Sequence, residues 1–208
     1  VWTAPEPAVI SSLDQQLKKC IQDALCREPG EGTVAASGLS HTADIVDLVN
    51  KQGANVNTAG GMHCIVCCLG LSLCRDPEAA KALLKLLCGL GGDMNFQNAD
   101  GNTPLHCAAL TPHCRGPCTE DFIRFMLDTG ASASLTMVNA DGKTPLETLE
   151  ATRQEQEGHV YSLYCDRNDD DENDDRNHEV CRRLLTPASS RKRQRDDSGA
   201  GSSSAAST

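Results

Sequence analysis

Two groups of side chains in the 208-residue sequence have the composition of a metal site: Cys64, Cys67 and Cys68 in one, and His113, Cys114 and Cys118 in the other. Thiolates and imidazoles at short spacings are what zinc takes, four to a tetrahedral shell. Each group is one ligand short, and only the second reads as a loop. The competing reading makes Cys67, Cys68 and Cys107 small packing residues, because free cysteine behaves as a small hydrophobe. That reading is preferred, with no metal and no cofactor. A metal- or thiol-dependent redox sensor is kept as the alternative. His106 directly precedes Cys107, a pairing that suggests a nucleophile and its base. On a helix, neighbours point about 100° apart, so the two do not converge on one atom. No enzymatic activity is expected.

Two charge runs are the other chemical features. Residues 166–175 hold seven carboxylates and one arginine. A calcium loop would need a glycine and a closing glutamate where Asp174 and Val180 stand. The run is therefore read as a solvated, disordered insert, the alternative being a docking surface for a basic partner. Arg191, Lys192, Arg193 and Arg195 form a basic run that reads as a nuclear localisation signal engaging an import receptor, or else as a solubilising tail. The expected location is the nucleus, or nucleus and cytoplasm.

Composition narrows the classes. The formal net charge of −10 argues against a phosphate-backbone binder. One Trp, two Tyr and three Phe are too few for base-stacking platforms, so no direct nucleic-acid partner is expected. No apolar run is long enough to cross a membrane. Twelve cysteines without a secretory signal or an Asn-x-Ser/Thr site suggest reduced thiols inside a cell. The sequence opens at Val1 rather than Met, as a fragment or processed product would.

The elements that position these groups recur. Asn98-Ala99-Asp100-Gly101-Asn102-Thr103-Pro104-Leu105 returns 41 residues later as Asn139-Ala140-Asp141-Gly142-Lys143-Thr144-Pro145-Leu146. Gly53-Ala54-Asn55-Val56-Asn57 returns as Gly91-Gly92-Asp93-Met94-Asn95, and more loosely as Gly130-Ala131-Ser132-Ala133-Ser134. Asn-Ala-Asp-Gly is turn chemistry. The threonine then caps a helix whose first turn tolerates proline. A second apolar helix follows and stops at glycine.

Thr103-Pro104-Leu105-His106-Cys107-Ala108 carries the pattern T-P-L-H-x-A, and on it the chain resembles the ankyrin-repeat family. The resemblance spans about residues 10–186 and is strongest over 49–149. It implies an all-α solenoid of about four helix-turn-helix units with long inter-helix inserts. The expected divisions are an N-terminal tail (1–10), a degenerate unit 1 (11–57), unit 2 (58–95) and unit 3 (96–137). A degenerate unit 4 (138–186) carries the acidic insert 158–177, and a Ser-rich disordered tail with the basic cluster (187–208) ends the chain.

Within unit 1, Ser12 and Gln15 are expected to form a capping box, and a Gly-rich link over 28–40 leads to a second helix. In unit 2, aligning Gly60 with Gly101 puts Cys67-Cys68 where Ala108-Ala109 stand; a register three residues later remains possible. In unit 3, Thr119 is expected to cap the second helix. In unit 4 the second helix is expected over 178–185, and Glu150 falls at a position that should be buried, unless this unit is an end cap. The resemblance also implies that His106 hydrogen-bonds between neighbouring turns.

The function implied is a scaffold or regulatory subunit that binds a protein through its turn tips and inner helices. The contact residues are then Ala99, Asp100, Asn102, Ala140, Asp141 and Lys143, with Thr58, Ala59 and Gly61 matching them in unit 2. Leu69, Leu110 and Thr111 are added on the inner helices. Leu110 is the apolar anchor, unless it packs under the insert at 111–118.

Overall fold

The structure is a computed structural model, and it describes residues 11–25, 34–58, 61–72, 77–110, 117–158 and 171–187. Helices run in the order α1 (Ser12–Leu25), α2 (Val34–Asn50), α3 (Met62–Ser72), α4 (Pro77–Gly89), α5 (Pro104–Leu110), α6 (Pro117–Asp128), α7 (Pro145–Gly158) and α8 (Asp171–Leu185), with a 3₁₀ turn at Ala131–Thr136. No strand occurs among the described residues.

Local chemistry explains most of the boundaries. Four helices open on proline (Pro77, Pro104, Pro117 and Pro145), where the missing N–H is one the helix would leave unpaired anyway. At the far end of α4, Gly91 turns left-handed at φ 90°, and the Gly92 N–H returns to the Leu87 carbonyl at 2.9 Å, closing the end of the helix. Helix α1 is capped one residue earlier than expected. The Asp14 N–H bonds the Ser11 hydroxyl at 3.1 Å and the Ser11 N–H bonds the Asp14 carboxylate at 3.2 Å, so the capping box is Ser11/Asp14 and not Ser12/Gln15.

The helices form antiparallel pairs, α1 with α2, α3 with α4, α5 with α6 and α7 with α8. First helices stack as an inner row, α1 on α3, α3 on α5 and α5 on α7; α4, α6 and α8 make contacts along the outer row. One continuous apolar seam lies between the rows, from Leu17 and Ile21 through Leu84 and Leu87 to Phe122, Ile123 and Met126, and on to Cys181 and Leu185.

Several boundaries depart from expectation. Helix α2 starts at Val34, inside the stretch read as a Gly-rich link. Helix α6 starts at Pro117, and Thr119 lies buried within it instead of capping it. Helix α8 starts at Asp171, so the latter part of the acidic insert is the opening of a helix, while Gly158 closes α7. Carboxylates near a helix N-terminus are favoured by its dipole, which gives an acidic run a reason to be helical at that end. The register of unit 2 matches neither alternative. By its glycine turn Gly61 stands for Gly101, whereas by its helix Val66-Cys67 stands for Ala108-Ala109, because the link between turn and helix is two residues shorter. The inserts at 73–76, 111–116 and 159–170, and nearly all of the 187–208 tail, lie outside the described residues.

Leu105 is fully buried at the start of α5, in the middle of the inner row. Leu105→Ala is expected to lower stability by about 2–5 kcal/mol. Urea denaturation followed by circular dichroism checks this.

Candidate partner-binding face

Two turns expose the tips of units 3 and 4, and their bonding repeats atom for atom. The Asn98 side-chain oxygen accepts from the Asp100 and Asn102 N–H groups at 3.0 and 2.8 Å, while the Asn98 N–H reaches the Asn102 carbonyl at 2.9 Å. Asn139 does the same with Asp141 and Lys143 at 3.1 and 3.0 Å, and its N–H reaches the Lys143 carbonyl at 3.0 Å. Gly101 and Gly142 close the turns, each at φ 73°, a conformation that side-chain-bearing residues adopt only at a cost. The Ala140 N–H then bonds the Asp100 carbonyl at 3.0 Å, so one tip is tied to the next.

Inside the face, one position recurs in three units, and in two of them its side chain reaches the neighbouring turn. His106 is bonded at both ring nitrogens. Its Nδ1 accepts from the Thr103 N–H (3.2 Å) and hydroxyl (2.8 Å), and its Nε2–H donates to the Lys143 carbonyl at 3.0 Å. Those partners demand the neutral Nε2–H tautomer and leave no nitrogen free to serve Cys107 as a base. Cys64 takes the matching place one unit earlier, its Sγ 3.2 Å from the Asn102 carbonyl. Glu147 takes it one unit later. There the carboxylate folds back, accepting from the Thr144 N–H and hydroxyl at 2.8 Å each, and these two donors hold its pKa below the usual range.

A second set of ties was not anticipated. The Asn57 side chain donates to the Gly91 carbonyl at 2.9 Å and accepts from the Asp93 N–H at 2.8 Å. Asn95, its repeat, donates to the Gly130 carbonyl at 3.0 Å and accepts from the Ser134 N–H and hydroxyl at 2.9 and 2.8 Å. The signal in the sequence is an asparagine four residues after Gly53 and after Gly91, with Ser134 in that place after Gly130.

The expected contact residues divide accordingly. Ala99, Asp100, Ala140 and Asp141 are exposed at the tips. Leu110, 44% exposed at the end of α5, is the one large apolar side chain among the described residues to stand open to solvent. Asn102 and Lys143 are half-buried and work structurally: Asn102 accepts from the Asn139 amide at 3.0 Å, and the Lys143 carbonyl serves His106. Thr58 and Gly61 are corrections. Thr58 is 8% exposed, and Gly61 is buried at φ 61°, with space for a Cβ only 2.6 Å from that of Asn98. The shortened link draws this turn inward. Ala59, Thr111, the Leu69 side chain and the basic residues Arg191, Lys192, Arg193 and Arg195 lie outside the described residues.

Among the described residues, Cys64, Cys67, Cys107 and Cys181 are buried. Cys67 lies 3.5 Å from the Met126 sulfur, and Cys107 is buried. Burial pushes the Cys181 thiol up to about 11 and also raises Cys20 and Cys88, which disfavours reactive thiolates. The side chains of Cys68 and Cys118, and all of His113 and Cys114, lie outside the described residues.

Paired helices, glycine-closed turns and bonds running only between neighbours define a helical-repeat solenoid with an exposed ridge of turn tips. The chain belongs to the ankyrin-repeat family: the family model for ankyrin repeats, three copies, matches residues 71–175, half of the sequence. It is similar to the ankyrin repeat domain-containing protein M-T5 of Myxoma virus (strain Lausanne), 29% identical over 136 residues. That alignment takes in 65% of this chain and 27% of the viral protein, so the chain spans about a quarter of its relative. Ankyrin repeats are in general modules for binding other proteins, and the family is typically non-enzymatic.

His63 supplies a test of how the seam tolerates charge. Its ring is 2% exposed, Nε2 finds no partner among the described residues, and it fills the space that Gly92 leaves by having no Cβ. Burial lowers its pKa to about 4, and burial also lowers His106 and His178. The unfolded chain takes up protons near pH 6.5 and the folded chain resists them. Stability is therefore full above pH 6.5 and falls as pH drops toward 4, His63 alone contributing a loss of about 3 kcal/mol. His63→Leu, which restores the residue type of Leu105 and Leu146, is expected to flatten this dependence. Urea midpoints measured from pH 7 to 4.5 check it.

Proposed function

We propose that the chain is a protein-interaction scaffold or regulatory subunit that acts by surface complementarity, with no bond-making chemistry of its own. The observation that carries this reading is the tied row of tips. Asp100 and Asp141 stand exposed on turns locked by identical bonds and joined through Ala140, so the ridge meets a partner with little left to order. Leu110, exposed beside the inner row, supplies an apolar anchor of the kind that concentrates binding energy. The partner side should offer N–H or cationic donors to the carboxylates and an apolar pocket to the leucine.

Nuclear entry is part of the proposal and rests on the basic run Arg191-Lys192-Arg193-Gln194-Arg195. Replacing Arg191, Lys192, Arg193 and Arg195 with alanine is expected to shift a fluorescent fusion to the cytoplasm; unchanged nuclear signal rejects the assignment.

For the binding face, a partner captured with the purified protein is titrated against Asp100→Ala, Asp141→Ala and Leu110→Ala. Each is expected to weaken binding with the fold intact, Leu110→Ala by about 2 kcal/mol. Full affinity in all three, with loss on deleting 166–175, would move the site to the acidic run.

A further inference from the structure

Thr186 follows the last residue of α8, and Pro187 follows it. Its hydroxyl donates to the Arg182 carbonyl at 2.8 Å, and its N–H reaches the same oxygen at 3.0 Å. Two other Thr-Pro pairs are described, and both open helices. Thr103 is fully buried, and the Thr144 hydroxyl is held by Glu147. At Thr186 the order is reversed: the helix has ended, and the threonine is half-buried at its open end.

Two arginines precede it by four and three residues, a spacing that places them on the same face of the helix. Arg182 is 46% exposed, and its Nε bonds the Glu150 carboxylate at 3.1 Å, joining α8 to α7. It also approaches Glu179 at 3.7 Å, and Arg183, 75% exposed, bonds Glu179 at 3.0 Å. This cross-helix ion pair is thus half-open to solvent, where such pairs are weak.

We propose that Thr186 is a phosphorylation site for a proline-directed protein kinase, and that the phosphate draws Arg182 away from Glu150 and loosens the α7–α8 seam. In the transfer, the bond from the γ-phosphorus of ATP to its bridging oxygen breaks and a bond to Thr186 Oγ1 forms. ADP leaves, and the hydroxyl proton passes to the kinase's base. Three consequences follow from the geometry. The esterified oxygen can no longer donate to the Arg182 carbonyl. A doubly charged group at a helix C-terminus opposes the dipole. The phosphate competes for Arg182 and Arg183 with bonds stronger than those of a single carboxylate. All three act on the end of α8 that faces Glu150.

The test uses the full chain with a purified cyclin-dependent kinase and magnesium ATP. Peptide mass spectrometry is expected to find phosphate on Thr186, lost in Thr186→Val. Phosphate on other residues with none on Thr186 overturns the site. Hydrogen exchange then tests the consequence: amides of α7 around Glu150 are expected to exchange several-fold faster once Thr186 is fully phosphorylated. Glu150→Gln, which weakens the pair beforehand, is expected to exchange faster without phosphate and to change little on adding it. Unaltered α7 exchange in the fully phosphorylated protein overturns the Arg182 step.

Discussion

Among the described residues the turn backbones have no strand to pair with, and several of their carbonyls are met by side chains of the neighbouring unit. The bonds from Cys64 to the Asn102 carbonyl and from His106 to the Lys143 carbonyl meet that need at the inner row. Asn57 and Asn95 meet it at the glycine stops. Each tie couples one unit to the next and no further. Stability in such an array is a sum over units and the interfaces between them. The exposed ridge inherits its rigidity from these same bonds, because Asp100 and Asp141 sit on backbone that cannot move without breaking them.

The last unit shows what happens when there is no described unit beyond it to bond. Glu147 occupies the His106 position and turns inward to cap its own helix. Glu150, awkward for a buried seam, lies half-exposed and pairs with Arg182 instead. Both substitutions turn polar groups back onto the unit itself.

Burial governs the chemistry of the reactive side chains. Cys67 stands where Ala109 stands in the next unit, as a small apolar residue can, and on α8 burial raises the Cys181 thiol and keeps it neutral. His106 and His63 are both kept neutral, for different reasons. His106 is satisfied at both nitrogens, whereas His63 stands where Leu105 and Leu146 stand, packs against Gly92 and has no partner for Nε2 among the described residues.

The repeat, the family and the helices were legible in the sequence, because turn glycines, first-turn prolines and helical apolar stripes are local signals that need no knowledge of distant contacts. Leu105 of the Thr-Pro-Leu-His run is buried, and so are Phe122, Ile123 and Met126 at helical spacing on α6. Which polar residues face a partner was not legible. Thr58 and Gly61 carry the composition of an exposed tip, yet a link two residues shorter draws them inside, and the Asn102 side chain is bonded to the neighbouring turn. The acidic run, read as a solvated insert, turned out in part to begin a helix. Composition reports what a residue prefers. Its exposure depends on how far the next unit reaches, and that distance is decided only when the units stack.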